Sequence, residues 1–436
     1  MQYRKLLVTV LICMASLVGQ SFANGVGEDK TSSIDLTEID KRATLLMHQL
    51  EMVGLSVAIV ENGEMTFSKG YGEVQRDSND QVTADTVFRW ASVSKGVAAA
   101  TILSLQEDGH FEIAEPANMH ATSLKLPPSE IDVSIEDILS HRVGIVRNAY
   151  DRRIEDGRAA KDVRSSLKNL KYLCEPGTCH TYQNVAFDAS AEIVENITGL
   201  PYKSAVQERI FGPLEMETAS VTLEGLKRSK SWARPHGRKG QRINRVKENY
   251  YRVPAAAGVN SSVKDLAKWM NAQMPPIQEP ADPGIELAGG LETSEKTDIE
   301  LIAEASVKQH EALKKPPLPK ISQEIIDDMQ LPRVETPRER RFMGRKFMSL
   351  KNAQYGLGWR TYDYAGHRVI GHRGGVQGYR ALVLFDPEKR SGIAMMWNSP
   401  HSRPIGLQLE FMDQLYGLPK RDWLRLNSKS LSLIHI

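Results

Sequence analysis

The stretch Thr86-Val87-Phe88-Arg89-Trp90-Ala91-Ser92-Val93-Ser94-Lys95 is where the chain changes character. Residues 86–91 close an opening region that reads as β structure. Residues 97–103, Val97-Ala98-Ala99-Ala100-Thr101-Ile102-Leu103, read as an apolar helix. Ser92 then falls at a helix N-terminus, where free backbone N–H groups and the helix dipole favour developing negative charge. Lys95 follows three residues on, one turn later on the same face. A serine hydroxyl is a weak nucleophile that needs a base beside it. A lysine can serve only in its neutral form, which burial or nearby cations favour. The four residues alone also fit a capping serine with a surface lysine, and residues 165–168 and 261–264 carry the same Ser-x-x-Lys spacing.

Toward the N-terminus, residues 37–51 have helical periodicity, with Ile39, Ala43, Leu46, Met47 and Leu50 on one stripe. Residues 54–60 are strand-like, Asn62-Gly63 is a strong hairpin signal, and residues 65–71 read as the return strand. Toward the C-terminus, helical signals dominate from 94 to about 271. Residues 367–371, 380–385 and 392–397 are strand candidates, Asp386-Pro387 and Ser391-Gly392 mark the turn between the last two, and residues 404–416 read as a final helix. The fold class expected is α+β. An antiparallel sheet flanked by helices is built from both termini, about residues 37–91 and 355–420. A mostly helical region, about 92–350, is inserted between them. Within it, residues 275–319 read as a Pro-rich insertion, from Pro275-Pro276 to Pro316-Pro317-Leu318-Pro319, and the basic run 338–346 as a solvated face.

Two further elements could work with Ser92. Tyr182-Gln183-Asn184 follows Glu175-Pro176-Gly177 and precedes residues 185–193, which read as a helix. A tyrosine can shuttle a proton, and an asparagine amide can bind a substrate amide or hold Lys95. His372-Arg373-Gly374-Gly375 ends a strand candidate. Glycines there let a substrate lie close to the strand edge, and the backbone N–H of Gly375 could pair with that of Ser92 as an oxyanion hole.

Taken in order, Ser-x-x-Lys, Tyr-x-Asn and His-x-Gly resemble the three motifs of the serine beta-lactamases and penicillin-binding proteins. The flanks are similar to the class C-like branch, which includes DD-peptidases and esterases: Lys69-Gly70-Tyr71-Gly72, Ile138-Leu139-Ser140-His141 with Gly144, Asp265-Leu266-Ala267-Lys268-Trp269, and Tyr355-Gly356-Leu357-Gly358-Trp359. The resemblance implies a beta-lactamase/transpeptidase-like fold. It implies Ser92, Lys95 and Tyr182 as catalytic residues, and Asn184, His372, Gly374 and Gly375 as substrate-binding residues. One departure stands out. Class C beta-lactamases carry lysine where this chain has His372, which is near-neutral at pH 7, so a beta-lactam carboxylate loses a fixed cation unless Arg373 supplies one.

The remaining features bound the function. Hydrophobic residues make up 41%, charged residues 25% and the net charge is +2, which gives no reason to expect nucleic acid or an anionic membrane as partner. Arg4 and Lys5, the apolar run 6–18 and Ser21-Phe22-Ala23 read as a signal peptide over residues 1–23, and the run is shorter than the ~20 residues needed to span a bilayer. The expected location is therefore periplasmic or secreted, with residues 24–430 as one hydrolase domain and no membrane span after cleavage. Cys13 leaves with the signal. Cys174 and Cys179 flank Pro176-Gly177, so either a disulfide or two free thiols is open. No metal-ligand spacing or cofactor motif is read. Residues 431–436, Leu431-Ser432-Leu433-Ile434-His435-Ile436, match a translated sequencing adapter and are read as an artefact.

The function expected is an exported serine hydrolase acting through an acyl-enzyme on a carboxylic ester, a D-Ala-type peptide or a beta-lactam. The alternative is a penicillin- or peptidoglycan-binding module that acylates without turnover. Which of Lys95 and Tyr182 is the principal base stays open.

Overall fold

The computed structural model describes residues 34–243, 245–274, 321–337 and 350–426. The signal peptide, the 275–319 insertion, the 338–346 basic run and the 431–436 tail lie outside the described residues.

The chain opens with α1 (Leu36–Met47), which buries Ile39, Ala43 and Leu46. Leu50, read as part of the same stripe, is 82% exposed because the helix ends at Met47. The hairpin β1 (Gly54–Glu61) and β2 (Glu64–Gly72) follows, with Asn62 and Gly63 both at positive φ in its turn. A small pair, β3 (Phe88–Arg89) with β4 (Asn260–Ser261), clamps the two sides of the nucleophile region. The C-terminal half adds β5 (Val334–Glu335), β6 (Leu350–Tyr355), β7 (Arg360–Tyr364), β8 (His367–Val376), β9 (Tyr379–Asp386) and β10 (Ser391–Trp397). All eight strands of the main sheet run antiparallel to their neighbours, in the order β2-β1-β10-β9-β8-β7-β6-β5. The two ends of the chain meet at β1 and β10, with Leu55 opposite Trp397 and Ile59 opposite Ile393.

Strand alternation sends side chains to opposite faces. Leu55, Val57, Ile59, Leu382, Leu384, Ile393 and Met395 pack beneath α1 and the Ile405–Leu415 helix. Ala58, Val60, Ala381, Val383, Ala394 and Met396 face the helical region. Both faces of β1 are covered, and all of its residues are buried. The helical region centres on α2 (Ser94–Glu107), buried from Ser94 to Leu105.

Two boundaries differ from the sequence reading. Strand β5 lies inside the region read as helical, and β6 fills residues 350–355, so the sheet begins earlier than the expected 355. A two-residue strand such as β5 has no periodicity to read; its partner β6 defines it. The helix expected over 185–193 begins only at Ala189 and runs to Thr198, because residues 184–188 are drawn into the active-site region.

Candidate active site

Ser92 lies two residues ahead of α2, in a single 3₁₀ turn over Ala91–Val93 that leads directly into that helix. The turn is held open by Ala91, whose φ of 49° is in the left-handed region that a non-glycine residue enters at a cost. Four hydrogen bonds hold this conformation. Trp90 donates its backbone N–H to the Val259 carbonyl at 2.8 Å and its indole N–H to Ser261 Oγ at 2.9 Å. Ser94 Oγ donates to the Ala91 carbonyl at 2.6 Å and accepts the Val259 N–H at 3.0 Å. Ser94 thus ties the turn down, leaving the half-buried Ser92 free of that task.

Lys95 is fully buried. Its Nζ donates to Asn184 Oδ1 at 2.8 Å and to the Ala256 carbonyl at 2.9 Å, both uncharged acceptors. The Nζ also sits 4.8 Å from the centre of the Tyr182 ring and 5.2 Å from that of Phe187. The other side of Asn184 is fixed too: its Nδ2 donates to Asp151 Oδ2 at 2.7 Å. Burial pushes the Asp151 carboxyl above its usual range, against the Asn184 bond that lowers it. The Ala256 carbonyl is aimed by a second buried acid. Asp188 accepts the Ala255 N–H at 3.1 Å and a guanidinium bond from Arg164 at 2.7 Å. Because both carboxylate oxygens are used this way, Asp188 does not cap the Ala189–Thr198 helix it precedes.

The Tyr182 loop is pinned to the loop after Leu139. His141, at φ 62° and fully buried, gives its carbonyl to Thr181 N–H at 2.8 Å and its Nδ1 accepts the Gln183 N–H at 3.2 Å. Gln183 Nε2 returns a bond to the Val146 carbonyl at 2.6 Å. Burial, then the neighbouring Lys95 and His180, holds His141 well below the ordinary histidine range. Its ring centre is 4.1 Å from that of Tyr182 and 4.8 Å from that of Tyr355.

The third motif borders the nucleophile from the sheet. Strand β7 pairs with β8 only from His367 to Gly371, so residues 372–376 run past its end and pair with β9 alone. The Ala91–Val93 turn packs against this length of β8. A Cβ on Gly374 would lie 1.9 Å from the Trp90 carbonyl oxygen, so only glycine passes there. Gly375 is exposed beside it. His372 was expected to bind substrate. Its side chain is 2% exposed, Nδ1 lies 3.0 Å from the Arg373 carbonyl and Nε2 3.1 Å from the Tyr355 hydroxyl. A carbonyl can only accept, which puts the proton on Nδ1 and makes Nε2 the acceptor of the Tyr355 O–H. Burial, Arg360 and Lys95 hold the ring well below its ordinary range and keep it neutral. Contact between His372 and a ligand requires the Tyr355 bond to open.

Cys174 and Cys179 are bonded as a disulfide, with Cα atoms 6.3 Å apart. Among the described residues no helix is long and apolar enough to cross a membrane, and no group of acidic, histidine or cysteine side chains is placed to hold a metal ion.

The structure therefore gathers Lys95, Tyr182 and Asn184 in one buried cluster and brings Gly374 against the Ser92 turn. Sequence reading missed the Ala256 carbonyl, Asp151, Asp188 and Tyr355. Tyr355 was quoted only as part of a flanking motif, and a backbone carbonyl carries no side-chain signal at all.

Comparison with known proteins shows the family and the fold. The beta-lactamase family model matches residues 39–412. The unguisins hydrolase ungD of Aspergillus violaceofuscus is 26% identical over 404 residues, which is 87% of this chain and 65% of that protein. The D-alanyl-D-alanine-carboxypeptidase/endopeptidase AmpH of Escherichia coli K12 is 24% identical over 225 residues, 50% of this chain and 57% of that one. The chain thus spans less than two thirds of these relatives' length. The octameric penicillin-binding protein homologue from Pyrococcus abyssi superposes with a TM-score of 0.69 at 20% identity, covering 88% of this chain and 78% of its own.

Proposed function

The chain belongs to the beta-lactamase family, and from that premise we propose that it is an exported serine hydrolase that works through an acyl-enzyme. The observation that carries the reading is the setting of Lys95: buried, donating to two neutral oxygens, against the Tyr182 ring and one helical turn from Ser92. Its Nζ donates to Asn184 and Ala256, both uncharged, so no carboxylate among the described residues is bonded to the amine that stands beside the Ser92 turn.

In this mechanism Ser92 Oγ attacks an ester or amide carbonyl, and its proton passes to Lys95 or Tyr182. The oxyanion is held by the backbone N–H groups of Ser92 and Gly375. The proton returns to the leaving alcohol or amine, and water then repeats the sequence to release the acid and free Ser92. The substrates proposed are carboxylic esters or short D-alanyl-type peptides ahead of beta-lactams. A neutral, internally bonded His372 offers no fixed charge to a beta-lactam carboxylate. The carboxypeptidase relative supports a peptide substrate. Export is supported by the composition of residues 4–23 and fits a disulfide between Cys174 and Cys179.

The test is steady-state turnover of p-nitrophenyl acetate, nitrocefin and a D-alanyl-D-alanine peptide by wild type and Ser92→Ala. Turnover of the ester or peptide above nitrocefin, lost in the variant, supports the reading. Activity that survives in Ser92→Ala contradicts it, and a stable adduct without turnover moves the protein to a penicillin-binding role.

A further inference from the structure

A cavity of about 800 Å³ opens beside the Tyr182 loop. Its walls come from the loop around Arg147, the residues 177–181 that follow Pro176, the β5 segment and Arg360. The charges on its lining are unequal. Three guanidinium groups, Arg147, Arg333 and Arg360, face one carboxylate, Glu335. Arg333 is already committed, to Glu136 at 3.0 Å and to Asp328. Glu335 is exposed on strand β5. Among the described residues Arg147 makes no ion pair; its guanidinium carbon stands 5.7 Å from the Tyr182 ring centre.

Arg360 approaches the same ring. Its guanidinium carbon lies 5.8 Å from the Tyr182 centre and 5.0 Å from that of Tyr355, and the residue is 7% exposed. Lys95 Nζ is 4.8 Å from that Tyr182 ring, so the cavity adjoins the proton-handling cluster through one side chain. His180, also in the lining, has a buried Nε2 with no hydrogen-bond partner. Burial, with Arg360 and Arg147 nearby, pushes this histidine down to about 3, so it stays neutral. Planar guanidinium donors suit a carboxylate, which takes paired N–H bonds in one plane.

We propose that this cavity is an anion subsite in which Arg147 and Arg360 hold a carboxylate of the substrate while its scissile carbonyl lies at Ser92. The inference rests on the hydrolase reading for the second half of that statement; the anion site itself does not need it. The subsite supplies, from the Tyr182 side, the fixed positive charge that His372 does not supply from the sheet side. It selects substrates with a carboxylate either on the acyl portion or on the leaving group.

Two substrate pairs separate those cases. On the acyl side, the p-nitrophenyl monoester of glutaric acid is compared with p-nitrophenyl butyrate. On the leaving-group side, a thioester of thioglycolic acid is compared with its methyl ester. Wild type should prefer the anion in one pair, and Arg147→Ala should reduce that kcat/KM ratio about tenfold. Arg147→Lys, which keeps the charge, should recover part of it. Arg147 is exposed on a loop, so these variants spare the core. Arg360→Lys is the second variant and should lower the same ratio.

In parallel, glutarate is titrated into Ser92→Ala protein by calorimetry, with and without Arg147→Ala. Binding weakened about tenfold by the arginine change supports the anion site whether or not the protein turns over esters. No anion preference in either pair, a ratio unmoved by both arginine changes, or glutarate binding indifferent to Arg147 overturns the proposal. Loss of all Ser92-dependent turnover with glutarate binding intact would instead overturn the hydrolase reading alone.

Discussion

The central cation on each face of the sheet is held by different chemistry. On the face covered by the chain's ends, α1 and the Ile405–Leu415 helix are joined by charge. Arg42 is bonded to Glu410 at 2.7 Å and to Asp422 at 2.5 Å, and Arg421 pairs with Asp413. On the face that carries Ser92, the cation at the centre, Lys95, is given an amide oxygen and a backbone carbonyl. Its acidic neighbours are kept one bond away: Asp151 behind Asn184, and Asp188 behind the short Pro254–Ala257 helix by way of Ala255 N–H. An ion pair fixes a side chain in its charged state. Neutral acceptors fix its position without pairing it to a carboxylate. The difference teaches that the same residue types serve as ties on one face and as chemistry on the other.

That contrast can be broken most severely at Lys95. Lys95→Ala removes the proton carrier but no ion pair, and kcat on an ester should fall on the order of 10⁴-fold or more. A loss of under about tenfold, measured on folded protein, would show that Tyr182 works without it. The opposite result is expected across the sheet. Arg42→Met should cost about 2–4 kcal/mol in urea unfolding, because Glu410 is left buried and unpaired. In the same variant kcat should stay within about twofold of wild type, since distant sites act independently. A large kcat loss there would mean the two faces are coupled.

A smaller effect concerns pH. His141, His180 and His372 are all on the catalytic face and all held below their ordinary range, chiefly by burial. The folded protein keeps them neutral while the unfolded chain takes up protons below its own histidine range, near 6.5. Stability is therefore present above about pH 6.5 and lost as pH falls toward 5.5, by up to ~1.4 kcal/mol per histidine at the lower value. Urea midpoints from pH 7.5 to 5.5 measure this. His372→Gln should flatten the slope, and an unchanged slope would show that His372 is protonated in the folded protein.

The sequence carried the parts of this molecule that depend on local pattern. The Asn62-Gly63 hairpin, the terminal helices and the late strands followed from turn chemistry and periodicity, because strand and helix repeats are visible in one dimension. Ser92, Lys95, Tyr182 and Asn184 were legible as motifs, and three of the four meet in the buried cluster. What could not be read was set by partners distant in the chain. Ala256 contributes a carbonyl 161 residues from Lys95. Asp151 and Asp188 look like ordinary helix-start acids until Asn184, Arg164 and Ala255 claim them. The left-handed Ala91 was equally hidden, since alanine does not announce that backbone; Ser94 and Trp90 impose it.

The account turns on Ser92 as the residue that becomes acylated, and peptide mapping tests that most directly. The purified protein is mixed with p-nitrophenyl acetate and with a fluorescent penicillin, quenched in acid within the first turnover, digested and analysed by mass spectrometry. The account predicts a single acyl group on the peptide containing Ser92, released with time from wild type and absent from Ser92→Ala. An acyl group on any other residue, or an unchanged adduct in Ser92→Ala, would contradict it.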